Sequence, residues 1–239
     1  MCLLALFFRA VEDAPVVVGA NREEFYARGG EVPRLIEGRC RALAGLDPLA
    51  GGTWLGINEH GLLVAITNRP LSIMPPRPRS RGLLTRDLLG CVDVNEAVAL
   101  ATRELSTHRY AGCNFLLADR ERAAAILAGD WLRVRPLPPG VHVLTAHDVD
   151  DLGDRRIRHA LGWLEQRPAR TSEECLAALK EVCAQTGDPP ICLHGPDRGT
   201  VSSTLVSLRP SLRQGRFLHA QGPPDKTPYE DLSHLLLFR

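Results

Sequence analysis

The 239-residue sequence predicts an α+β fold built from antiparallel sheets. Three observations carry that expectation. Strands come in groups, helices come in pairs between the groups, and several strands are apolar at nearly every position. Grouping disfavours βαβ winding, in which single strands and helices alternate. Residues 16–19 and 62–66 are almost continuously apolar, as in strands covered on both faces. Two sheets stacked between helical layers would produce such strands, and a single domain over 1–239 suits the length.

In chain order, the apolar runs 3–9 and 15–20 read as a strand pair across the polar break Glu12-Asp13-Ala14. Residues 24–52, rich in Gly and Arg, read mostly as loop. A second hairpin, 53–58 with 62–68, turns at Glu59-His60-Gly61. The proline-rich stretch 70–78 reads as an extended loop able to border a pocket. Helical patterns follow at 82–91 and Val94–Leu105. A third β block takes 113–119, Ala123–Ala128, 131–134 and 141–145, with turn signals at Asp119-Arg120, Gly129-Asp130 and 136–140. Helices are expected at 154–166 and 173–185, the second opened by a capping-box pattern, Thr171 with Glu174. After a loop at 187–199, strands at 200–208 and Arg216–Ala220 complete the β content. No internal repeat or low-complexity tract interrupts the chain.

A net charge of +1 gives no electrostatic ground for a nucleic-acid partner or an anionic membrane. Arginine supplies nearly all the positive charge, since Lys180 and Lys226 are the only lysines. The seven cysteines (2, 40, 91, 113, 175, 183 and 192) are odd in number and lack framework spacing, which speaks for a reducing compartment. None has CxxC spacing, so no structural metal site is expected. No stretch is long enough for a membrane span. The opening apolar run is too short for a signal peptide and is closed by Arg9, Glu12 and Asp13. A cytoplasmic protein is the expectation, and a homo-oligomer is compatible with it.

Four stretches hold groups suited to chemistry. If Met1 is removed, Cys2 carries both a thiol and a free α-amine, and such an amine, with a pKa of about 7.7–8.0, can act as base near neutrality. Otherwise Cys2 is a small hydrophobe opening a strand. Asn21, Arg22, Glu23 and Glu24 follow the second strand, where they form either a solvated turn or a polar cluster that orients a nucleophile or substrate. In the stretch 51–70, Gly51 and Gly52 permit either a backbone geometry that other residues resist or close approach of a ligand. Asn68 either donates to an oxyanion or caps the turn before Pro70. Trp54 reads as core. In 191–208, Cys192 and His194 fall on one side of an extended segment and could bind a metal or haem. Ser202 and Ser203 break an apolar strand, either to satisfy backbone groups or to face substrate.

Taken together, the Met-Cys start, NREE at 21–24, GGTWLG at 51–56 followed by HGLLVAITN at 60–68, RSRG at 79–82 and HGPDRGTVSST at 194–204 resemble the NRDE family, also called the transport and Golgi organisation 2 family. The resemblance runs in order from Cys2 to about residue 221. It implies an N-terminal-nucleophile (Ntn) hydrolase-like fold, a four-layer αββα sandwich. By analogy with the choloylglycine and penicillin V acylase group, it implies Cys2 as nucleophile and base, Glu23 holding the amine, and Asn68 in the oxyanion hole. Asn21, Arg22, Trp54, Ser202 and Ser203 are then the substrate-binding candidates.

Three departures stand out. Glu23 replaces the signature aspartate. Neither Ala20 nor Asn21 is the arginine that the acylases place before the acid. Leu144-Thr145-Ala146 lacks the asparagine of a Leu-Ser-Asn stretch, with His147 next to it. The resulting expectation is a cofactor-free amidohydrolase or acyltransferase acting on a non-peptide C–N bond of a small amide or acyl substrate. The alternative is a non-catalytic haem- or lipid-related carrier, with Cys2, His60, His194 and Cys192 as the axial-ligand candidates. A scaffold that has lost both activities is the third reading.

Overall fold

The computed structural model describes residues 2–238. The chain forms two compact units, one of Met1–Gly29 with Pro138–Leu237 and one of Gly30–Leu137 with the chain end. Unit one begins with β1 (Leu3–Phe8) and β2 (Val16–Phe25). The chain then builds unit two: β3 (Arg34–Ile36), β4 (Ala42–Ala44), β5 (Leu55–Asn58), β6 (Leu63–Asn68), α1 (Arg81–Leu88), α2 (Val94–Leu105), β7 (Cys113–Ala118), β8 (Ala123–Ala128) and β9 (Leu132–Pro136). It returns to unit one with β10 (Gly140–Leu144), α3 (Arg155–Glu165), α4 (Ser172–Cys183), β11 (Arg198–Leu208), β12 (Arg216–Ala220) and β13 (Glu230–Asp231).

Unit one holds a sheet of order β10-β1-β2-β11-β12-β13, and unit two a meander in sequence order, β3 to β9. Every strand pair in both is antiparallel, so the α+β expectation stands. In unit one, Leu3, Ala5, Phe7 and Val17 pack with Ile157, Leu161, Leu176 and Leu179 of α3 and α4. Leu4, Leu6, Phe8, Val16 and Val18, on the opposite face, are buried too. In unit two, Leu62, Val64, Phe115, Leu117 and Ile126 pack with Leu84, Leu88, Ala97 and Ala101 of α1 and α2. There also the alternate positions Leu63, Ala65, Leu116 and Leu127 are buried. Burial on both faces is why these strands lack the period-2 alternation of a half-exposed sheet.

The helix starts follow their capping residues. Asp154 caps α3 through the amides of Arg156 and Ile157, and Thr171 with Glu174 completes the reciprocal capping box of α4.

Two expectations are corrected. Asn21 to Glu24 do not follow the second strand but lie within it: β2 continues to Phe25 because β11 pairs with it as far as Phe25 opposite Arg198. The Gly- and Arg-rich stretch read as loop contains β3 and β4, three-residue strands held by pairing onto β5.

Candidate functional site

In unit one, register places the polar groups. Cys2 sits just before β1, whose Leu3 lies opposite Asn21 of β2. The Cys2 Sγ accepts the backbone N–H of Glu23 at 3.4 Å. All seven cysteines are free, and Cys2 is the most exposed of them. Burial raises its thiol pKa, the neighbouring Glu23 carboxylate raises it further, and the Glu23 N–H only partly offsets both.

The Glu23 carboxylate has almost no exposed surface and pairs with Arg156, whose Nη2 donates to Oε1 at 2.5 Å and Nη1 to Oε2 at 3.4 Å. Arg156 stands in the first turn of α3 and also donates from Nε to Pro190 O (3.0 Å) and from Nη2 to Ile191 O (3.1 Å). Its helix is anchored in turn by Asp154, which accepts the Thr145 hydroxyl at 2.5 Å. Burial alone would raise the Asp154 pKa. The hydrogen bonds from Thr145 and from the Arg156 and Ile157 amides outweigh it and hold the carboxyl below its ordinary value. A buried guanidinium and carboxylate must stay paired, because either alone carries an uncompensated desolvation cost.

Residues sharing a face with Leu3 meet α3 and α4. Asn21 is one of them: its Nδ2 donates to Cys183 O at 2.8 Å and to Ile191 O at 3.1 Å. Ser203, opposite Asn21, donates to Ala20 O at 3.2 Å, which leaves its oxygen to accept from Tyr229 at 2.7 Å. Arg22 and Ser202, paired with each other, take the alternate face. Arg22 donates to Gly29 O at 2.6 Å, and the Ser202 hydroxyl is buried without a hydrogen-bond partner among the described residues. Ala146, where the family-like stretch has an amide, is fully buried, and its neighbour Thr145 is engaged with Asp154.

Within unit two, Asn68 ends β6 opposite Cys113 with its side chain exposed. Trp54 is half-buried over Gly45, where an added Cβ would collide with the ring, and its carbonyl accepts the Ile66 N–H at 3.0 Å. The proline-rich loop does border a cavity, of about 400 Å³, lined by Leu71, Ile73 and Pro75 of the loop with Leu105 and Tyr110. Back in unit one, Cys192 is fully buried, and its Sγ lies 3.8 Å from the His194 Nε2.

The functional residue that sequence reasoning missed is Arg156. In the sequence it is one of two arginines at a helix start, and its carboxylate lies 133 positions away. Only the pairing of β1, β2 and α3 brings them together.

No helix of the described residues is long and apolar enough to cross a membrane. The family model described as Transport and Golgi organisation 2 matches residues 1–197. The Transport and Golgi organization protein 2 homolog of Bos taurus is 34% identical over 224 residues, covering 80% of this chain and 81% of the bovine protein. The Homo sapiens homolog is 34% identical over 111 residues, 45% of this chain, and the match spans only 40% of the human protein's length. Among solved structures, a Caenorhabditis elegans N-acylethanolamine-hydrolyzing acid amidase ortholog superposes with TM-score 0.62 at 17% identity, over 85% of this chain and 92% of that one. Penicillin V acylase from Agrobacterium tumefaciens gives TM-score 0.65 at 13% identity, over 98% and 88%. At these identities the likeness shows the fold, which is that of the Ntn hydrolases.

Proposed function

This chain belongs to the Transport and Golgi organisation 2 family, and on that premise we propose that it is an Ntn cysteine amidohydrolase or acyltransferase acting on a small-molecule amide. The observation that carries the reading is the setting of Cys2. The most exposed of the seven cysteines has its sulfur on the Glu23 amide, beside a buried carboxylate paired with Arg156. Met1 lies outside the described residues, so its removal is part of the proposal.

The chemistry follows from charge. While the chain begins at Met1, burial and Glu23 keep the thiol protonated. Removing Met1 gives Cys2 its own amine, which takes the thiol proton as sulfur attacks the carbonyl carbon. The C–N bond then breaks, the amine passes that proton to the leaving nitrogen, and a thioester remains. Water, or another acceptor, cleaves the thioester with the amine again as base. Glu23 orients the amine, and Arg156 offsets the carboxylate so that the amine is not locked as ammonium. Arg22 and Ser202 share a face of the sheet and are the substrate-contacting candidates of unit one. Asn68 and Trp54 keep, on the resemblance alone, the oxyanion and substrate roles it implies. The structural neighbours named above are an acid amidase and an acylase, so acyl amides of low molecular mass are the class to assay first.

The haem alternative draws less support. Cys192 has no exposed surface, and its thiol is hydrogen-bonded to Asp225 at 3.1 Å. A fully buried thiol already donating to a carboxylate is poorly placed to serve as an axial ligand, which disfavours the Cys192 and His194 pair for a porphyrin.

Intact mass and thiol mapping test the proposal. The purified protein is expected to lack Met1, and brief iodoacetamide treatment to label Cys2 ahead of Cys40 and Cys91. Retention of Met1, or labelling of Cys2 no faster than the buried thiols, overturns the mechanism.

A further inference from the structure

We infer that Cys192, His194 and Asp225 form a binding site for a divalent cation of borderline softness, with Zn²⁺ as the fitting ion. The loop that enters β11 presents the first two donors. Thr200 and Leu193 are joined twice, Leu193 N–H to Thr200 Oγ1 at 2.9 Å and Thr200 N–H to Leu193 O at 2.8 Å, and His194 bridges to Gly199. Cys192 and His194, two apart in this tightened segment, point to the same side. The third donor arrives from a surface turn in which the Lys226 and Thr227 amides bond Pro223 O. The Cys192 Sγ is 3.1 Å from Asp225 Oδ1 and 3.8 Å from His194 Nε2, and that same Nε2 is 2.9 Å from Asp225 Oδ2. All three ligand atoms lie within 4.8 Å of one another.

The shared nitrogen decides between two readings. A nucleophile–base–acid relay uses both ring nitrogens, one for the nucleophile and one for the carboxylate. Here sulfur and carboxylate both face Nε2, so the three donors converge on a point. Ligands bound at about 2.0–2.3 Å around a tetrahedral ion stand roughly 3.3–3.7 Å apart, so shifts of about half an ångström suffice. A thiolate, an imidazole and a carboxylate together favour Zn²⁺ over Mg²⁺ or Ca²⁺. On binding, the Cys192 sulfur gives up its proton to solvent and forms the metal–sulfur bond. His194 and Asp225 both reach the surface, which leaves a fourth position open to water. Such an ion would tie the turn at Asp225 to the loop before β11.

Cys40, Glu59 and His60 make a second cluster in unit two. There Glu59 already accepts from the Arg41 backbone and guanidinium, and the Cys40 thiol donates to Gly90 O. It serves as the control.

The test is titration of metal-stripped full-length protein with Co²⁺, followed by ultraviolet and visible absorption. Expected are a thiolate-to-cobalt charge-transfer band saturating at a single equivalent, and its loss in Cys192→Ser with Cys40→Ser unaffected. His194→Gln and Asp225→Asn should each weaken binding at least about tenfold. Absence of the band, or a band that survives Cys192→Ser or vanishes only in Cys2→Ser, overturns the site. Should Cys192→Ser fail to fold, folded Asp225→Asn decides: unchanged Co²⁺ affinity overturns the site, and a tenfold loss supports it. Because none of these residues acts in the proposed acyl chemistry, an inactive amidase would leave this result standing.

Discussion

The two units use the same architecture, one antiparallel sheet with a helical pair, yet they fill their sheets differently. Unit two's central strands β6, β7 and β8 are Leu, Val, Ile, Ala and Phe almost throughout, with Thr67 and Asn114 as their buried polar residues. Unit one is as apolar over residues 3–8 and 16–18. At one end of β2 and β11, however, it buries Asn21, Arg22, Glu23, Thr200, Ser202, Ser203 and Thr204. Burying so many polar groups is costly unless each finds a partner. Most do, through Cys183 O, Gly29 O, Arg156 and Tyr229. One sheet is therefore apolar through most of its central strands, and the other accepts a polar end that packing would not select. That asymmetry marks where chemistry is to be sought.

The largest expected effect tests that assignment directly. With an acyl-amide substrate in hand, Cys2→Ala should lower kcat by about four orders of magnitude or more, as loss of a nucleophile does elsewhere. Cys113→Ala, in unit two's core, should cost stability while leaving the kcat of the folded protein within a few-fold. Steady-state kinetics on both variants separates the two roles, and equal losses of kcat would erase the contrast between the units.

Next in size is the buried ion pair. Arg156→Met leaves the Glu23 carboxylate buried without its partner and should destabilise the protein by about 3–5 kcal/mol in urea unfolding. The double variant Glu23→Gln with Arg156→Met should recover a substantial part of the loss. In unit two, Phe115→Ala, fully buried among apolar neighbours, should cost a similar 3–5 kcal/mol through its cavity, with no second-site rescue of that kind. If the double variant recovers nothing, Glu23 and Arg156 are held by packing rather than by charge.

The same contrast explains what could be read from the chain before its fold. Apolar runs such as 3–8 and Ala123–Ala128 announce themselves because each residue's burial is recorded in its own side chain. The capping box at Thr171 and Glu174 is equally local. The continuation of β2 through Asn21 to Phe25 is not, since polar residues signal a turn and only pairing with β11 makes them strand. The strands β3 and β4 are hidden for a related reason, three residues each in a Gly- and Arg-rich stretch. For the candidate site, the motif residues Cys2 and Glu23 were visible. Arg156, which pairs with Glu23, and Asp225, which joins Cys192 and His194, depend on contacts 133 and 31 residues apart.

A smaller effect is alkaline. Burial pushes the Cys113 thiol of unit two and the Cys175 and Cys183 thiols of unit one up to about 12, above their ordinary value near 9. The unfolded chain then loses these protons first as pH rises. The stability they contribute is complete below pH 9 and falls steadily between about 9 and 12. Unfolding midpoints measured across that range should drop, and Cys183→Ala should make the slope shallower. A slope unchanged in that variant would mean that the Cys183 thiol titrates as freely in the fold as out of it.

The smallest effect is the one in which the units should agree. Thr171 caps α4 in unit one and Asp93 caps α2 in unit two, each side chain accepting the amide three residues on, at 3.3 and 2.8 Å. Replacing either by alanine should cost about 1 kcal/mol in denaturant unfolding, because a helix start loses one satisfied amide wherever it lies. Thr171 has the added return bond from Glu174 to its own backbone amide, which the alanine variant keeps. Its loss should therefore be no larger than that of Asp93, whose carboxylate also meets the positive end of the helix dipole. Equal or nearly equal costs would confine the difference between the units to their sheets, at the polar end of β2 and β11. A cost at Thr171 several-fold above that at Asp93 would instead make the helices of unit one part of the asymmetry, with α3 and α4 braced against the buried charge of Glu23.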